Sequence, residues 1–278
     1  MSVYIHGDNI ATKLRQVKGD DNLGHLKEIE KKYLAWRKKI DALKGKRKSA
    51  DIAKLVDALN EYKNFIDQPK FRKEKGNLNG FTSQSKLHST VLEEFMYHLL
   101  IEIPQLLGKH LEFGATHAYS NLYFSPASLD SFETKSGLSI NTKDQDFAIS
   151  KKVQLATSLP PNEAKEQHII HVPVVSIECK TYLDKTMYEG SVATAEKIKR
   201  GNPYSLFLIV TETYEVASNV DPAYSEINQI YVLRKQSNRE TKKPIQADIV
   251  EDLYRNVEQH LSSSWRDVNA KIKSGKLI

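Results

Sequence analysis

The chain has 278 residues, 40% of them hydrophobic and 27% charged, a composition typical of a globular protein with a substantial buried core. No run approaches the roughly 18 apolar residues that a membrane-spanning helix needs. The single cysteine excludes an internal disulfide and cysteine-based zinc sites. The first residues lack the basic and apolar segments of a secretion signal, so we expect a cytoplasmic protein.

The positive charge is concentrated in the amino-terminal part of the chain. The formal net charge is +6, and residues 1–75 carry 19 Lys and Arg against 11 Asp and Glu. The remaining residues carry 22 against 24. This asymmetry is compatible with a polyanionic partner such as DNA or RNA.

Helical periodicity dominates the amino-terminal quarter. Apolar residues recur at helical spacing over 23–44 and again over 50–65, which predicts two amphipathic helices that form a hairpin. The stretch 67–86 contains Pro and Gly with few apolar residues, so we place the main boundary there. The chain is thereby divided into a basic helical region, 1–75, for subunit association or DNA binding, and a second domain, 76–278.

The second domain alternates between helical and strand-like segments. Residues 85–107 predict a long, mostly buried helix with Ser85 or Ser89 as its N-cap. The nearly continuous apolar runs 168–179 and 205–212 are typical of central strands covered on both faces, and the helical stretch between them predicts a crossover. Weaker patterns predict strands at 115–124, 138–149 and 229–234 and a terminal helix at 248–272.

One of these apolar strands ends in two opposite charges, Glu178 and Lys180, which alternation places on one face. Buried charges are costly unless they are paired or bind a ligand, so this strand end is a candidate site. In the preceding strand, Asp146 stands directly before the apolar run 147–149, and its rival Asp144 shares its face. We favour Asp146 because the apolar run follows it immediately. If the two strands pair, Asp146 approaches Glu178. Two carboxylates and a lysine suit metal-assisted hydrolysis, since hard oxygens bind Mg²⁺ and the lysine orients or deprotonates water.

The order helix, strand, strand ending in Asp146, strand ending in Glu-Cys-Lys, helix and strand resembles the PD-(D/E)XK nuclease core over about residues 85–235. Glu178 and Lys180 stand in the places of the E-x-K of the motif, although Gln145 replaces the usual proline before the aspartate. The stretches STVLEEFMYHLL, KDQDFAIS and IECKTYLDKTMYEG, with the basic helical leader, look like subunits of BbvCI-type restriction endonucleases. The resemblance implies an α/β fold, with a central mixed sheet flanked by helices and an N-terminal helical region.

The resemblance also implies a role for each residue of the motif. Asp146, Glu178 and the backbone carbonyl of Cys179 would bind Mg²⁺, and Lys180 would position the attacking water. The protein would then hydrolyse double-stranded DNA as a type II restriction endonuclease subunit in the bacterial cytoplasm. Because BbvCI-type enzymes combine two related subunits, each cutting one strand of an asymmetric site, a related second subunit is implied as a partner.

A glutamate on the first core helix also reaches the metal site in many relatives, directly or through water. Glu93 and Glu94 both lie off the apolar stripe of the predicted helix, and helical geometry does not choose between them. The spacing in the family favours Glu93. Contacts with DNA phosphates, which supply affinity without sequence information, are expected from basic residues. The candidates are Lys73, Lys197 and Arg200.

Two other functions stay open at this level. A repair or recombination nuclease with the same core would recognise the structure of the DNA rather than its sequence. A non-catalytic DNA-binding or assembly protein would act through its helical hairpin, and its charged strand end would be structural.

Overall fold

A computed structural model describes residues 4–17, 20–43, 47–73, 80–82, 86–160, 165–239, 242–265 and 267–275. The predicted cap Ser85 and the predicted boundary between residues 75 and 76 lie outside the described residues. The helices are α1 (Ile5–Gln16), α2 (Asp20–Asp41), α3 (Ser49–Ile66), α4 (Thr90–Leu100), α5 (Glu102–Leu106), α6 (Leu129–Phe132), α7 (Lys185–Gly201), α8 (Ala247–Ser262) and α9 (Val268–Ser274). The strands are β1 (Glu112–Phe124), β2 (Leu138–Thr157), β3 (Glu166–Lys180), β4 (Leu206–Thr211) and β5 (Gln229–Val232).

The strands form one mixed sheet in the order β1-β2-β3-β4-β5. The first three strands pair antiparallel, whereas β3, β4 and β5 run parallel. The chain passes from β3 through α7 to the neighbouring parallel strand β4, which confirms the predicted crossover. All six residues of β4 are buried, as expected of a strand covered on both faces.

Two hydrophobic cores lie on opposite faces of this sheet. β4 contributes Leu208 and Val210 to the larger core and Phe207 and Ile209 to the smaller one, because successive side chains of a strand point to opposite faces. The larger core also takes in apolar residues of α1, α2, α3, α4 and α8, and the smaller core is covered by α7. The predicted α/β architecture with flanking helices is confirmed.

The amino-terminal helices form the predicted hairpin. The rings of Trp36 in α2 and Tyr62 in α3 stack with their centroids 5.1 Å apart, and both side chains are buried in the larger core beside Phe95 of α4. Residues from both sides of the predicted boundary therefore share one core. The division of the chain into two domains stays a prediction.

The long helix predicted over 85–107 is wrong, because the structure has two helices there, α4 and α5, separated at Ile101. Pro104 lacks an N–H group and donates no hydrogen bond to the carbonyl of Leu100, which interrupts the helical pattern. The interruption follows the segment that carries the candidate glutamates.

The single terminal helix predicted over 248–272 is also wrong. Helix α8 ends at Ser262, its C-cap Ser263 is extended, and α9 begins only at Val268. The indole of Trp265 donates a hydrogen bond of 2.8 Å to the carbonyl of His260, which satisfies one of the last carbonyls of α8. In the described part of the chain, no helix combines the length and the hydropathy needed to cross a membrane.

Candidate active site

The candidate site lies where two strands separate. The pairing of β2 with β3 ends at Phe147 opposite Ile177, whereas β3 stays paired with β4 as far as Lys180. Asp146 therefore stands at the point of separation. Its Oδ2 accepts a hydrogen bond of 2.9 Å from the backbone N–H of Cys179, so a side chain continues the link between the two strands.

A β-bulge adjoins this point. Gly114 and Thr116 of β1 lie opposite Ala148 and Gln145 of β2, so β2 advances three residues where β1 advances two. Bulges bend a strand and redirect the side chains beside them, and they are over-represented near active sites. Asp146 lies inside the bulged segment.

Three predicted side chains meet at the separation. Lys180 Nζ lies 3.1 Å from Asp146 Oδ2 and 2.7 Å from Glu178 Oε2. Burial together with the charge of Asp146 raises the pKa of Glu178 above its ordinary value. Burial alone would lower the pKa of Lys180. The attraction of the two carboxylates has the larger effect and raises this pKa above its ordinary value. Lys180 is therefore a protonated bridge between two carboxylates that repel each other.

The neighbouring glutamates of α4 point to different environments. Burial and the nearby charge of Asp146 raise the pKa of Glu93 to about 7, so Glu93 belongs to the electrostatic surroundings of the site. Glu94 is fully buried and accepts hydrogen bonds from the backbone N–H groups of His6 and Gly7, at 2.9 and 3.1 Å, and from the hydroxyl of Tyr33, at 2.7 Å. Glu94 thus holds the amino-terminal helices, whereas Glu93 senses the charges of Asp146, Glu178 and Lys180. The role of Glu93 in catalysis stays a prediction.

The rival aspartate lies apart from the cluster. The side chain of Asp144 is 81% exposed and pairs with His117 on β1. The structure therefore brings Asp146, and not Asp144, together with the E-x-K residues.

The carboxylates of the cluster suit a divalent cation. Asp146 and Glu178 each use only one oxygen in the hydrogen bonds found among the described residues, which leaves Oδ1 and Oε1 as hard donors. A cation would also relieve the repulsion that raises the pKa of Glu178. No three Asp, Glu, His or Cys side chains among the described residues are arranged to hold a metal. The predicted ligands, two carboxylates and the Cys179 carbonyl, consequently need further oxygens from water or DNA.

The three basic residues predicted to contact phosphates are exposed. Lys197 and Arg200 lie on α7, and Lys73 follows the turn after α3. Within the described structure, none of them makes a hydrogen bond or ion pair with Asp146, Glu178 or Lys180. Their contact with DNA stays a prediction.

Sequence reasoning missed one cation near the site. Lys86 precedes α4, has a left-handed backbone with φ of 57°, and its positive charge lowers the pKa of Glu93 against the larger effect of burial. Nothing in the sequence indicates this placement, because lysine rarely adopts positive φ.

At pH 8 without divalent cations, the variant Glu93→Gln is expected to be more stable than the unsubstituted protein, on the order of 2 kcal/mol. Folding raises the pKa of Glu93 to about 7, so its contribution to stability is full below the unfolded pKa and is lost as the pH rises through about 7. Urea unfolding at pH 5 and pH 8 measures the difference. Equal stability of the two proteins at both pH values would contradict this placement of Glu93.

The comparisons with known proteins concern the family and the fold of the chain. The sequence profile of the Bpu10I restriction endonuclease matches residues 84–242, more than half of the chain. Among solved structures, the fold is similar to a chain of the native BbvCI A2B2 tetramer, with 20% sequence identity, a TM-score of 0.68, and coverage of 94% of this chain and 98% of that chain. No curated protein matches the sequence. The chain belongs to the Bpu10I restriction endonuclease family and is a DNA endonuclease.

Proposed function

We propose that this chain is an Mg²⁺-dependent subunit of a heteromeric type II restriction endonuclease, which acts in the bacterial cytoplasm and cuts one strand of a short, asymmetric duplex site. The observation that carries the proposal is the meeting of Asp146, Glu178 and Lys180 at the separation of β2 and β3. Membership of a restriction endonuclease family supports the reaction. The A2B2 assembly of the BbvCI structure supports a related second subunit.

The residues of the cluster have complementary tasks in this mechanism. Mg²⁺, when bound, supplies Lewis-acid stabilisation of the phosphoryl oxygens. Asp146, Glu178 and the Cys179 carbonyl offer oxygen ligands. Because its pKa is raised, Lys180 acts as a hydrogen-bond donor that orients water and offsets negative charge at phosphorus, rather than as a base. Glu93, with a pKa of about 7, is suited to accept a proton near neutral pH.

Incubation with supercoiled plasmid tests the proposal. The purified chain is assayed alone and with the product of the neighbouring gene, in Mg²⁺, in Ca²⁺ and in EDTA, and the ends of every product are mapped. We expect discrete linear fragments from the pair in Mg²⁺, and nicked circles or no product from the chain alone. Cutting at forks or flaps irrespective of sequence would instead indicate a repair nuclease. Cutting in EDTA would contradict the use of a metal.

A further inference from the structure

A group of buried charges lies behind the catalytic strand. Lys63 of α3, Glu212 after β4 and Arg234 after β5 are each no more than 2% exposed. Lys63 Nζ lies 2.7 Å from Glu212 Oε1, and the guanidinium of Arg234 contacts Glu212 Oε2 through Nη2 at 2.6 Å and Nε at 2.8 Å. We call these three residues the buried triad.

The main chain of Glu212 connects this triad to the catalytic lysine. The backbone N–H of Glu212 donates a hydrogen bond of 3.1 Å to the carbonyl of Lys180, and its carbonyl accepts one of 3.2 Å from the N–H of Arg234. Glu212 is thus held on one side by β3, on the other by the segment after β5, and through its carboxylate by α3. The residue whose N–H bonds the main chain of Lys180 is therefore the same residue whose carboxylate is held by Lys63 and Arg234.

The energetics of the triad favour a role beyond stability. Desolvation of three charges costs more than packing apolar side chains of the same volume, so a buried ion network is a weak source of stability. In some proteins such a network fixes one geometry, since a misplaced member leaves a buried charge without its partner. Lys63 also lies 3.4 Å from Asp67, which gives its ammonium a second carboxylate. Being buried, Lys63 and Arg234 are out of reach of DNA.

We propose that Lys63 and Arg234 are positioning residues for the catalytic step, which act through Glu212 to fix the end of β3 that bears Lys180. The inference rests on the proposed function, in which Lys180 orients water. It gives the amino-terminal helical region, through α3, a part in the chemistry that requires no contact with the substrate.

The test compares single-turnover cleavage with DNA binding in the intact complex. Lys63→Met removes the ammonium and keeps an unbranched apolar side chain that is one heavy atom shorter. We expect the cleavage rate at saturating enzyme to fall about tenfold, because small misplacements of catalytic groups slow reactions by such factors. The affinity for DNA in Ca²⁺ should stay within about twofold, since Lys63 is buried. Rates are normalised to the concentration of DNA-binding sites, so that unfolded protein does not count.

Lys242→Met is the matched control. Lys242 Nζ lies 2.7 Å from the same Asp67 carboxylate that Lys63 contacts, but among the described residues Lys242 makes no ion pair with Glu212. Its normalised rate should equal that of the unsubstituted protein. An equal loss in both variants, or a full rate for Lys63→Met, would overturn the proposal.

Glu212→Gln covers the case in which Lys63→Met does not fold, and it should slow cleavage by a similar factor. Where Lys63→Met folds, the double variant Lys63→Met/Glu212→Gln should be no slower than the slower single variant, because both changes act through one group. Hydrogen exchange covers the case in which the complex does not cleave. The backbone amide of residue 212 should exchange its hydrogen faster in Glu212→Gln than in the unsubstituted protein. Its exchange rate should be unchanged in Lys242→Met. Unchanged exchange would overturn the proposal, whereas absent cleavage by the unsubstituted complex counts against the proposed function alone.

Discussion

Replacement of Glu178 by Gln is expected to lower the rate of DNA cleavage at least about a thousandfold, because loss of a metal ligand removes several kcal/mol of transition-state stabilisation. The protein should remain folded and equally or more stable, since burial and Asp146 raise the pKa of this carboxyl and its charge is unfavourable. Single-turnover cleavage in Mg²⁺ measures the first effect, and urea unfolding measures the second.

The same prediction holds for Asp146→Asn, for which the chain offers a matched control. Asp144→Asn changes an aspartate two residues away that is 81% exposed and pairs with His117 instead of Lys180. It should cleave at nearly the unsubstituted rate. Thermal melting supplies a second readout, because Ca²⁺ should raise the melting temperature of the unsubstituted protein and of Asp144→Asn, but not of Asp146→Asn. Normal turnover by Glu178→Gln or Asp146→Asn would refute the site.

Glu94→Ala is expected to destabilise the protein by about 3–5 kcal/mol, the usual cost of breaking a buried charged contact by removing one partner. The substitution leaves the first N–H groups of α1 and the hydroxyl of Tyr33 without their acceptor. Equilibrium unfolding in urea at pH 8 measures the loss. Glu93→Gln, at the preceding position of the same helix, is expected to increase stability instead.

This pair separates the two roles of α4. If Glu94→Ala costs less than about 1 kcal/mol, the carboxylate does not hold the amino-terminal helices as the hydrogen bonds indicate. In that case α1 would depend on its apolar contacts and on the hydrogen bonds of the His6 ring to Thr90 and Tyr62.

The core of the fold could be predicted because its signals are local. The apolar runs predict buried strands, and the prediction holds for all of β4 and for residues 173–179 of β3, whereas most of residues 166–172 are partly or fully exposed. The helical stretch between the two strands indicates a parallel crossover. Alternation places Glu178 and Lys180 on one face, and an aspartate before the apolar run of β2 completes the cluster. Each step needs only the pattern within one or two neighbouring strands.

Helix α1 could not be predicted for the opposite reason. The side chain of Tyr4, the N-cap, does not cap the helix, and the N–H groups of His6 and Gly7 donate to Glu94, more than 80 residues away. No local sequence signal marks such a helix start. The same contact distinguishes Glu94 from Glu93, so the choice that the helical pattern left open depends on a segment far away in the sequence.

The buried triad escaped prediction as well. Lys63 lies in an amphipathic helix whose other lysine, Lys54, is exposed. Glu212 and Arg234 lie just beyond apolar strands, where charged residues usually meet solvent. Their pairing depends on the packing of α3 against the segments that follow β4 and β5. That is a tertiary property without a sequence pattern.

Cys179 gives the catalytic strand a built-in chemical reporter. It is the single cysteine of the chain, its thiol is buried in the larger core, and its own N–H donates to Asp146. Burial, with the charge of Asp146, raises the pKa of the thiol well above its usual value, so the folded protein presents a neutral and unreactive group. Alkylation requires an opening that exposes this strand. The rate of thiol alkylation in the absence of DNA therefore measures how often the catalytic strand opens.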